Sequence, residues 1–312
     1  VEYRRLGRSG LQVSLVGLGC NNFGGRIDAD QTAAVVNKAL DLGINLFDTA
    51  DVYGNRGVSE EFLGKALKGR RREAVIATKF GSPMGEGPHW QGGSRRYIYD
   101  AVHDSLRRLG TDYIDLYQIH RPDDETPIEE TLRALDDLVR SGEIRYLGNS
   151  NYSAAQVVEA AWVAKTEHLT PYVSAQNQYN LLDRRIESEL LPACAKYGLG
   201  MLPYFPLASG FLTGKYQQGQ EAPAGTRLAG PMGGRMLTEG NFATLQKLQE
   251  VADNAGRSML QLAMSWLAQQ PTVASVIAGA TRTEQVEQNV NAVDWTLSPD
   301  ELAAIDAATK RS

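Results

Sequence analysis

The chain alternates. Eight short apolar runs, at residues 15–19, 45–50, 74–79, 113–120, 144–150, 173–178, 199–204 and 274–280, are separated by stretches of helical character. Several runs lack strict polar–apolar alternation, which is the pattern of parallel strands covered on both faces. Between them, Ile98, Val102, Leu106 and Leu109 repeat at helical spacing, as do Ile128, Leu132, Leu135 and Val139. Gly43, Gly110, Gly142 and Gly198 each sit just past a helical pattern, where a terminating glycine belongs. Residues 184–197 carry a weaker helical pattern because Pro192 lies inside it, so its regular part is expected only from about Glu189. Eight β/α repeats without a linker or composition break predict an α/β fold of (β/α)₈ TIM-barrel type, one domain over residues 1–312. An open doubly wound sheet is the competing architecture. It usually carries G-x-G-x-x-G after the first strand, and Gly17-Leu18-Gly19-Cys20-Asn21-Asn22 fails at the last position.

Two additions to the barrel are expected. Residues 3–6 and 11–14 flank Gly7-Arg8-Ser9-Gly10 and read as an N-terminal hairpin. Ser298, Pro299 and Glu301 open an extra C-terminal helix over residues 299–310 with a capping box. Two connections, 80–96 and 207–239, are long and rich in glycine, and such loops in a barrel are more often functional than idle.

In a barrel of this kind the reactive groups gather where strands end. Asp48, Lys79 and His120 stand at the ends of the second, third and fourth runs, and Tyr53 follows the second. Neighbouring strands are ~5 Å apart, so these side chains can converge. A free phenol has a pKa of ~10. A nearby ammonium favours its ionisation, a carboxylate fixes the ammonium, and an imidazole can orient a carbonyl or relay a proton. The set suits proton transfer to a carbonyl oxygen becoming an alkoxide. Each residue alone has a duller explanation in packing, capping or solvation. Their shared position at strand ends is what those explanations do not predict.

Other chemistries find little support. Four histidines (His89, His103, His120, His168) form no H-x-H or H-E-x-x-H, so no metal site is expected. Gly214-Lys215-Tyr216 lacks the remainder of a Walker A loop, and no G-x-S-x-G elbow occurs. A formal charge of -5 with scattered basic residues argues against a nucleic-acid partner, and no apolar stretch is long enough for a membrane span. With two cysteines, and no apolar h-region at Val1-Glu2-Tyr3-Arg4-Arg5, a cytoplasmic protein is expected.

Residues 43–50 with Tyr53-Gly54, Ser59-Glu60 and Leu63-Gly64 resemble the first signature of the aldo-keto reductases. The likeness continues through Ala77-Thr78-Lys79, residues 116–122, 206–215 and 279–285, in order along nearly the whole chain. Met236-Leu237-Thr238-Glu239 and residues 212–216 resemble the branch holding bacterial glyceraldehyde-3-phosphate reductases and voltage-gated potassium-channel β subunits. The resemblance implies a barrel using NADPH without a Rossmann domain, acting on a small-molecule carbonyl substrate. It implies Tyr53 as general acid, Lys79 as its partner, Asp48 as the anchor of Lys79, and His120 as the carbonyl-orienting group.

By matching motif, Ser150, Asn151 and Gln176 would bond the cofactor's carboxamide and Tyr204 would stack on its nicotinamide. Phe205, Pro206, Leu207 and Ser209 would line the pyrophosphate, with Lys215 and Arg227 reaching phosphates. Gly279, Thr281, Gln285, Gln288 and Asn289 would hold the adenosine end. Three positions depart from the usual pattern: Phe205 stands where serine is frequent, Gln288 replaces an acidic residue, and Gln285 stands where some branches carry arginine. The grip on a 2′-phosphate then falls to Arg227, Thr281 and Arg282. The alternative implied by the same branch is an NADPH-binding, redox-sensing regulatory subunit with slow residual reductase chemistry.

Overall fold

Eight parallel strands follow one another around a ring in the computed structural model, which describes residues 1–87, 89–230 and 233–309. They are β3 (Val16–Gly19), β4 (Leu46–Asp48), β5 (Val75–Phe80), β6 (Ile114–Ile119), β7 (Ile144–Ser150), β8 (Tyr172–Gln176), β9 (Gly200–Met201) and β10 (Val276–Gly279). The hydrogen-bonded order runs β10-β3-β4-β5-β6-β7-β8-β9. Backbone bonds close the ring between its two ends: Met201 N–H to Thr272 C=O (2.8 Å), Ala274 N–H to Met201 C=O (2.9 Å) and Ile277 N–H to Pro203 C=O (3.2 Å). The expected (β/α)₈ barrel is the observed fold. β9 is far shorter than the 199–204 run suggests, because Pro203 has no N–H to give to a ladder.

The connecting helices are α1 (Ala29–Asp41), α2 (Tyr53–Ala66), α3 (Arg95–Leu109), α4 (Ile128–Ser141), α5 (Ala154–Thr166) and α6 (Leu190–Tyr197). Gly110, Gly142 and Gly198 end α3, α4 and α6 in the left-handed conformation, as their positions predict. α6 begins at Leu190 after a separate 3₁₀ turn at Arg185–Glu187, which accommodates Pro192 in its first turn. Between β9 and β10 lie α7 (Gly233–Met236), α8 (Glu239–Asn254) and α9 (Met259–Ala268), followed after β10 by α10 (Thr283–Asn291). The C-terminal helix α11 covers Pro299–Thr309, and the expected final residue, Lys310, lies outside the described residues.

The hairpin of β1 (Tyr3–Arg5) and β2 (Gln12–Ser14) is antiparallel and seals one end of the barrel. Its Leu6 and Val13 are wholly buried in an apolar cluster with Leu46, Val75, Ala77, Leu116, Leu202, Ala274 and Ile277. A larger apolar layer fills the space between the strands and the surrounding helices. With the N-terminal end plugged, the polar residues at the C-terminal strand ends are left facing the opposite mouth.

Candidate active site

β4 delivers Asp48 as its last residue and β5 carries Lys79 one residue before its end. The register sets Asp48 beside Ala77 and Lys79 beside Gln118, so the two side chains meet inside the ring. Lys79 Nζ lies 2.8 Å from Asp48 Oδ2 and donates also to the Thr49 carbonyl at 2.7 Å. Lys79 is fully buried. A buried ion pair is sustained only if its remaining hydrogen-bonding capacity is met. Here Asp48 Oδ1 accepts from Gln176 Nε2 at 2.7 Å and from Gln118 Nε2 at 3.4 Å. Burial works against the Lys79 ammonium, yet Asp48 and Tyr53 together lift its pKa above the ordinary lysine value.

Tyr53 enters from the segment after β4, where the backbone does something the sequence does not announce. Gly54, Asn55, Arg56 and Gly57 have φ of 66°, 63°, 65° and 113°, a full left-handed turn before the regular part of α2. Left-handed backbone costs roughly 1–2 kcal/mol for each residue with a Cβ. At Gly54 a Cβ would overlap the Phe23 carbonyl oxygen, so this glycine is required by space as well as by φ. The turn places the Tyr53 ring with its centroid 5.0 Å from Lys79 Nζ and 5.6 Å from the His120 ring, edge to face. Burial raises the Tyr53 pKa above the ordinary phenol value, and the Lys79 ammonium pulls it back without cancelling the rise. The expected net depression of the phenol is therefore corrected: desolvation outweighs the cation, and Tyr53 keeps its proton at neutral pH.

His120 follows β6 directly. Burial, reinforced by Lys79 and Arg121, lowers its pKa to about 3, so the imidazole is neutral at physiological pH. Its Nδ1 lies 3.2 Å from Ser82 Oγ, and its carbonyl accepts from Asn151 Nδ2 at 3.0 Å.

These groups stand at one end of an elongated cavity of about 740 Å³. Every predicted site residue except Lys79 lines it; Lys79 sits behind the wall, against Asp48. Beside Asp48 and His120, Ser150 donates to the Gln176 carbonyl (2.8 Å), Asn151 Nδ2 donates to Ser150 Oγ (3.0 Å), and Tyr204 Oη donates to Asn151 Oδ1 (2.8 Å). Gln176 presents one edge to Asp48, leaving its carbonyl side for another partner. Midway, Phe205, Pro206, Leu207 and Ser209 form one wall with Lys215 and Arg227. Arg227 lies over the Phe205 ring at 5.8 Å and donates to Asn21 Oδ1 (2.8 Å) and Asn22 Oδ1 (2.9 Å). At the far end Gly279, Thr281, Gln285, Gln288 and Asn289 line the cavity, and Gln285 Oε1 accepts from the Thr281 amide (2.8 Å) and hydroxyl (3.1 Å). Among the described residues no group of His, Cys, Asp and Glu is placed to hold a metal ion.

Backbone strain gathers around this cavity. Among the described residues, the non-glycine ones with positive φ are Asn55, Arg56, Asn151, His168, Phe205, Ala208 and Ser209, and all but His168 and Ala208 line the cavity or follow Tyr53. By contrast, the two long connections part company. Residues 207–239 contribute the middle of the cavity wall, whereas His89 and Trp90 are exposed and do not line it.

The model of the aldo/keto reductase family matches residues 15–310. This chain belongs to the aldo/keto reductase family. Its relatives carry several names. A rice (Oryza sativa subsp. japonica) protein named a probable voltage-gated potassium channel subunit beta is 39% identical, over 99% of this chain and 97% of its own length. An L-glyceraldehyde 3-phosphate reductase of Escherichia coli strain K12 is 40% identical, over 98% and 92%. A versiconal hemiacetal acetate reductase of Aspergillus parasiticus is 34% identical, over 98% and 96%. Membership makes the chain an oxidoreductase. No helix among its described residues is long and apolar enough to cross a membrane.

Sequence reasoning passed over several residues of this aldo/keto reductase site. Gln118 bonds Asp48 and sits on β6 two residues before His120, where period-two alternation could have found it. Cys20, Asn21 and Asn22 follow β3, the same strand-end position that singled out Asp48. Arg26 reaches the Gly225 carbonyl across the cavity mouth, a contact between residues far apart in sequence that no local pattern carries.

Proposed function

We propose that the chain is an NADPH-dependent reductase that converts aldehydes or ketones to alcohols, with Tyr53 as general acid. The observation carrying this reading is the Tyr53 phenol set between a buried Lys79–Asp48 pair and the His120 imidazole, at one end of a long polar cavity. The cavity suits a dinucleotide in the chemistry of its lining. An amide-rich end (Ser150, Asn151, Gln176) and an aromatic ring pinned by Asn151 are followed by two cations and then by glutamines and an asparagine. When bound, such a cofactor supplies a hydride from its nicotinamide C4.

The residues of the chain do the rest. Ser150, Asn151 and Gln176 hold a carboxamide so that one ring face is presented, and Tyr204 backs the ring. Lys215 and Arg227 neutralise phosphate charge. As the carbonyl carbon takes up the hydride, the C=O π electrons move to oxygen, and the Tyr53 O–H bond breaks to protonate it. Lys79 stabilises the resulting phenolate, Asp48 holds Lys79 charged and in place, and His120 orients the carbonyl. The single barrel thus carries both catalytic and cofactor residues.

The test is NADPH oxidation with a panel of aldehydes and ketones, wild type against Tyr53→Phe. The variant should lose ~100-fold or more in kcat while binding NADPH unchanged by fluorescence titration. Equal turnover in both proteins sinks the assignment. A parallel titration should show tighter binding of NADPH than NADH, a preference weakened in Arg227→Ala. Equal affinities would remove the 2′-phosphate role of Arg227, Thr281 and Arg282. The name of the rice relative favours a second reading, a redox-sensing NADPH-binding subunit with slow reductase chemistry. Tight cofactor binding with negligible turnover across the whole panel would select it.

A further inference from the structure

We infer that Ser82, itself held by Arg121, is a positioning residue that fixes His120 as its Nε2–H tautomer and so aims a hydrogen-bond donor at the substrate oxygen. The inference rests on the carbonyl reduction proposed above, in which His120 orients the substrate. Two contacts carry it. Arg121 Nη2 donates to Ser82 Oγ at 3.3 Å, and Ser82 Oγ lies 3.2 Å from His120 Nδ1.

A guanidinium only donates, whereas a hydroxyl has one hydrogen and two lone pairs. Arg121 therefore occupies a lone pair of Ser82. If Ser82 gives its hydrogen to Nδ1, both the hydrogen and the occupied lone pair of its hydroxyl are matched, and the imidazole proton resides on Nε2. If instead Nδ1 carries the proton, the Ser82 oxygen receives two donors and its own hydrogen has nowhere to go. Ser82 is 1% exposed, and its hydroxyl has no other hydrogen-bond partner among the described residues. An unpaired buried donor shifts the tautomer ratio by roughly tenfold or more. Donation from Arg121 also polarises the serine hydroxyl in the direction that strengthens its bond to Nδ1.

The surrounding backbone holds the arrangement still. The His120 amide donates to the Phe80 carbonyl (2.8 Å), and Tyr97 Oη donates to the Ser82 carbonyl (3.3 Å). Nε2 is then the ring nitrogen left for the cavity, which His120 lines beside Tyr53. A neutral imidazole is what such a tautomer requires, and burial with two neighbouring cations keeps it neutral. The role differs from that of Tyr53: His120 offers a hydrogen bond without surrendering its proton, and Ser82 decides which nitrogen offers it.

The test is the nitrogen NMR spectrum of the full chain labelled with ¹⁵N in its histidine rings, with His120 assigned by the loss of its signals in His120→Asn. Wild type should show a protonated Nε2 and an accepting Nδ1 across pH 6–8, with or without saturating NADPH. A protonated Nδ1 in wild type overturns the inference without any variant being made. In Ser82→Ala the two tautomers should mix and kcat should fall roughly tenfold with a smaller change in KM, whereas Ser82→Thr, which keeps the hydroxyl, should restore both. An unchanged tautomer in Ser82→Ala also overturns it. The NMR result is independent of turnover, so an inactive wild type would refute the reductase reading and leave the tautomer assignment to its own measurement.

Discussion

Two buried clusters of charge lie on either side of a three-residue step in the chain, and they are treated oppositely. Asp48 faces the mouth of the barrel and is met by an ammonium and two amides, from Lys79, Gln118 and Gln176. Asp51 faces the other way, into the layer between strands and helices. Among the described residues its Oδ1 has no hydrogen-bond partner, and Tyr97 reaches its Oδ2 only at 3.5 Å. The nearby cation, Arg108, is already committed to fully buried Glu60 at 2.6 Å. Burial, with Glu60 adding repulsion, pushes the Asp51 carboxyl up to about 8 despite the pull of Arg108 and Lys79. The difference is one of provision: both carboxylates are buried, and only Asp48 is met by an ammonium and two amide donors. A count of acidic residues near a strand end would treat the two alike.

The comparison is most exposed at the cations. Lys79→Met should strand Asp48, costing about 3–5 kcal/mol of stability and ~100-fold or more in kcat. Arg108→Met should strand Glu60 and destabilise the fold by a similar amount, yet leave turnover per folded molecule little changed. Urea unfolding paired with kinetics at a permissive temperature separates them. Comparable losses of activity would mean the second cluster also governs the chemistry.

The pH dependence of stability sharpens the contrast. An Asp51 pKa of about 8 in the folded protein, against 3.8 for the unreacted group, means that the folded state holds a proton the unfolded chain releases. Stability should therefore fall as pH rises from about 4 to about 8. Asp51→Asn, a neutral mimic of the protonated acid, should flatten that slope in urea titrations. A slope that survives the substitution would place the raised carboxyl elsewhere. The smallest expected effect lies between the clusters, in the left-handed turn after Tyr53. Arg56 is exposed and strained there, so Arg56→Gly should raise the melting stability by less than about 1 kcal/mol. A drop instead would show that the Arg56 side chain holds the turn.

Much of this was legible in the sequence because the barrel converts order along the chain into position around a ring. Asp48, Lys79 and His120 announced themselves by closing successive apolar runs, and the closed ring of strands bears out that reading of the fold. What stayed hidden depends on depth and on backbone hand. The phenol of Tyr53 was expected to be drawn down by Lys79, but the sequence does not say how little water reaches it. Gly54 and Asn55 tolerate positive φ and hint at a bend, whereas Arg56 gives no such signal and adopts it all the same. Asp51 gives no signal of its own, because nothing local reveals that the neighbouring arginine is spoken for.

The plug at the base of the barrel has a consequence for how the protein is made. Leu6 and Val13 pack against Ala274 and Ile277, so residues translated near the start of this sequence are buried by residues translated near its end. While the ribosome works through the intervening strands, that apolar pair has no permanent home. The hairpin must wait in the open or in the care of a chaperone, and the ring can be stoppered only when its last strand arrives.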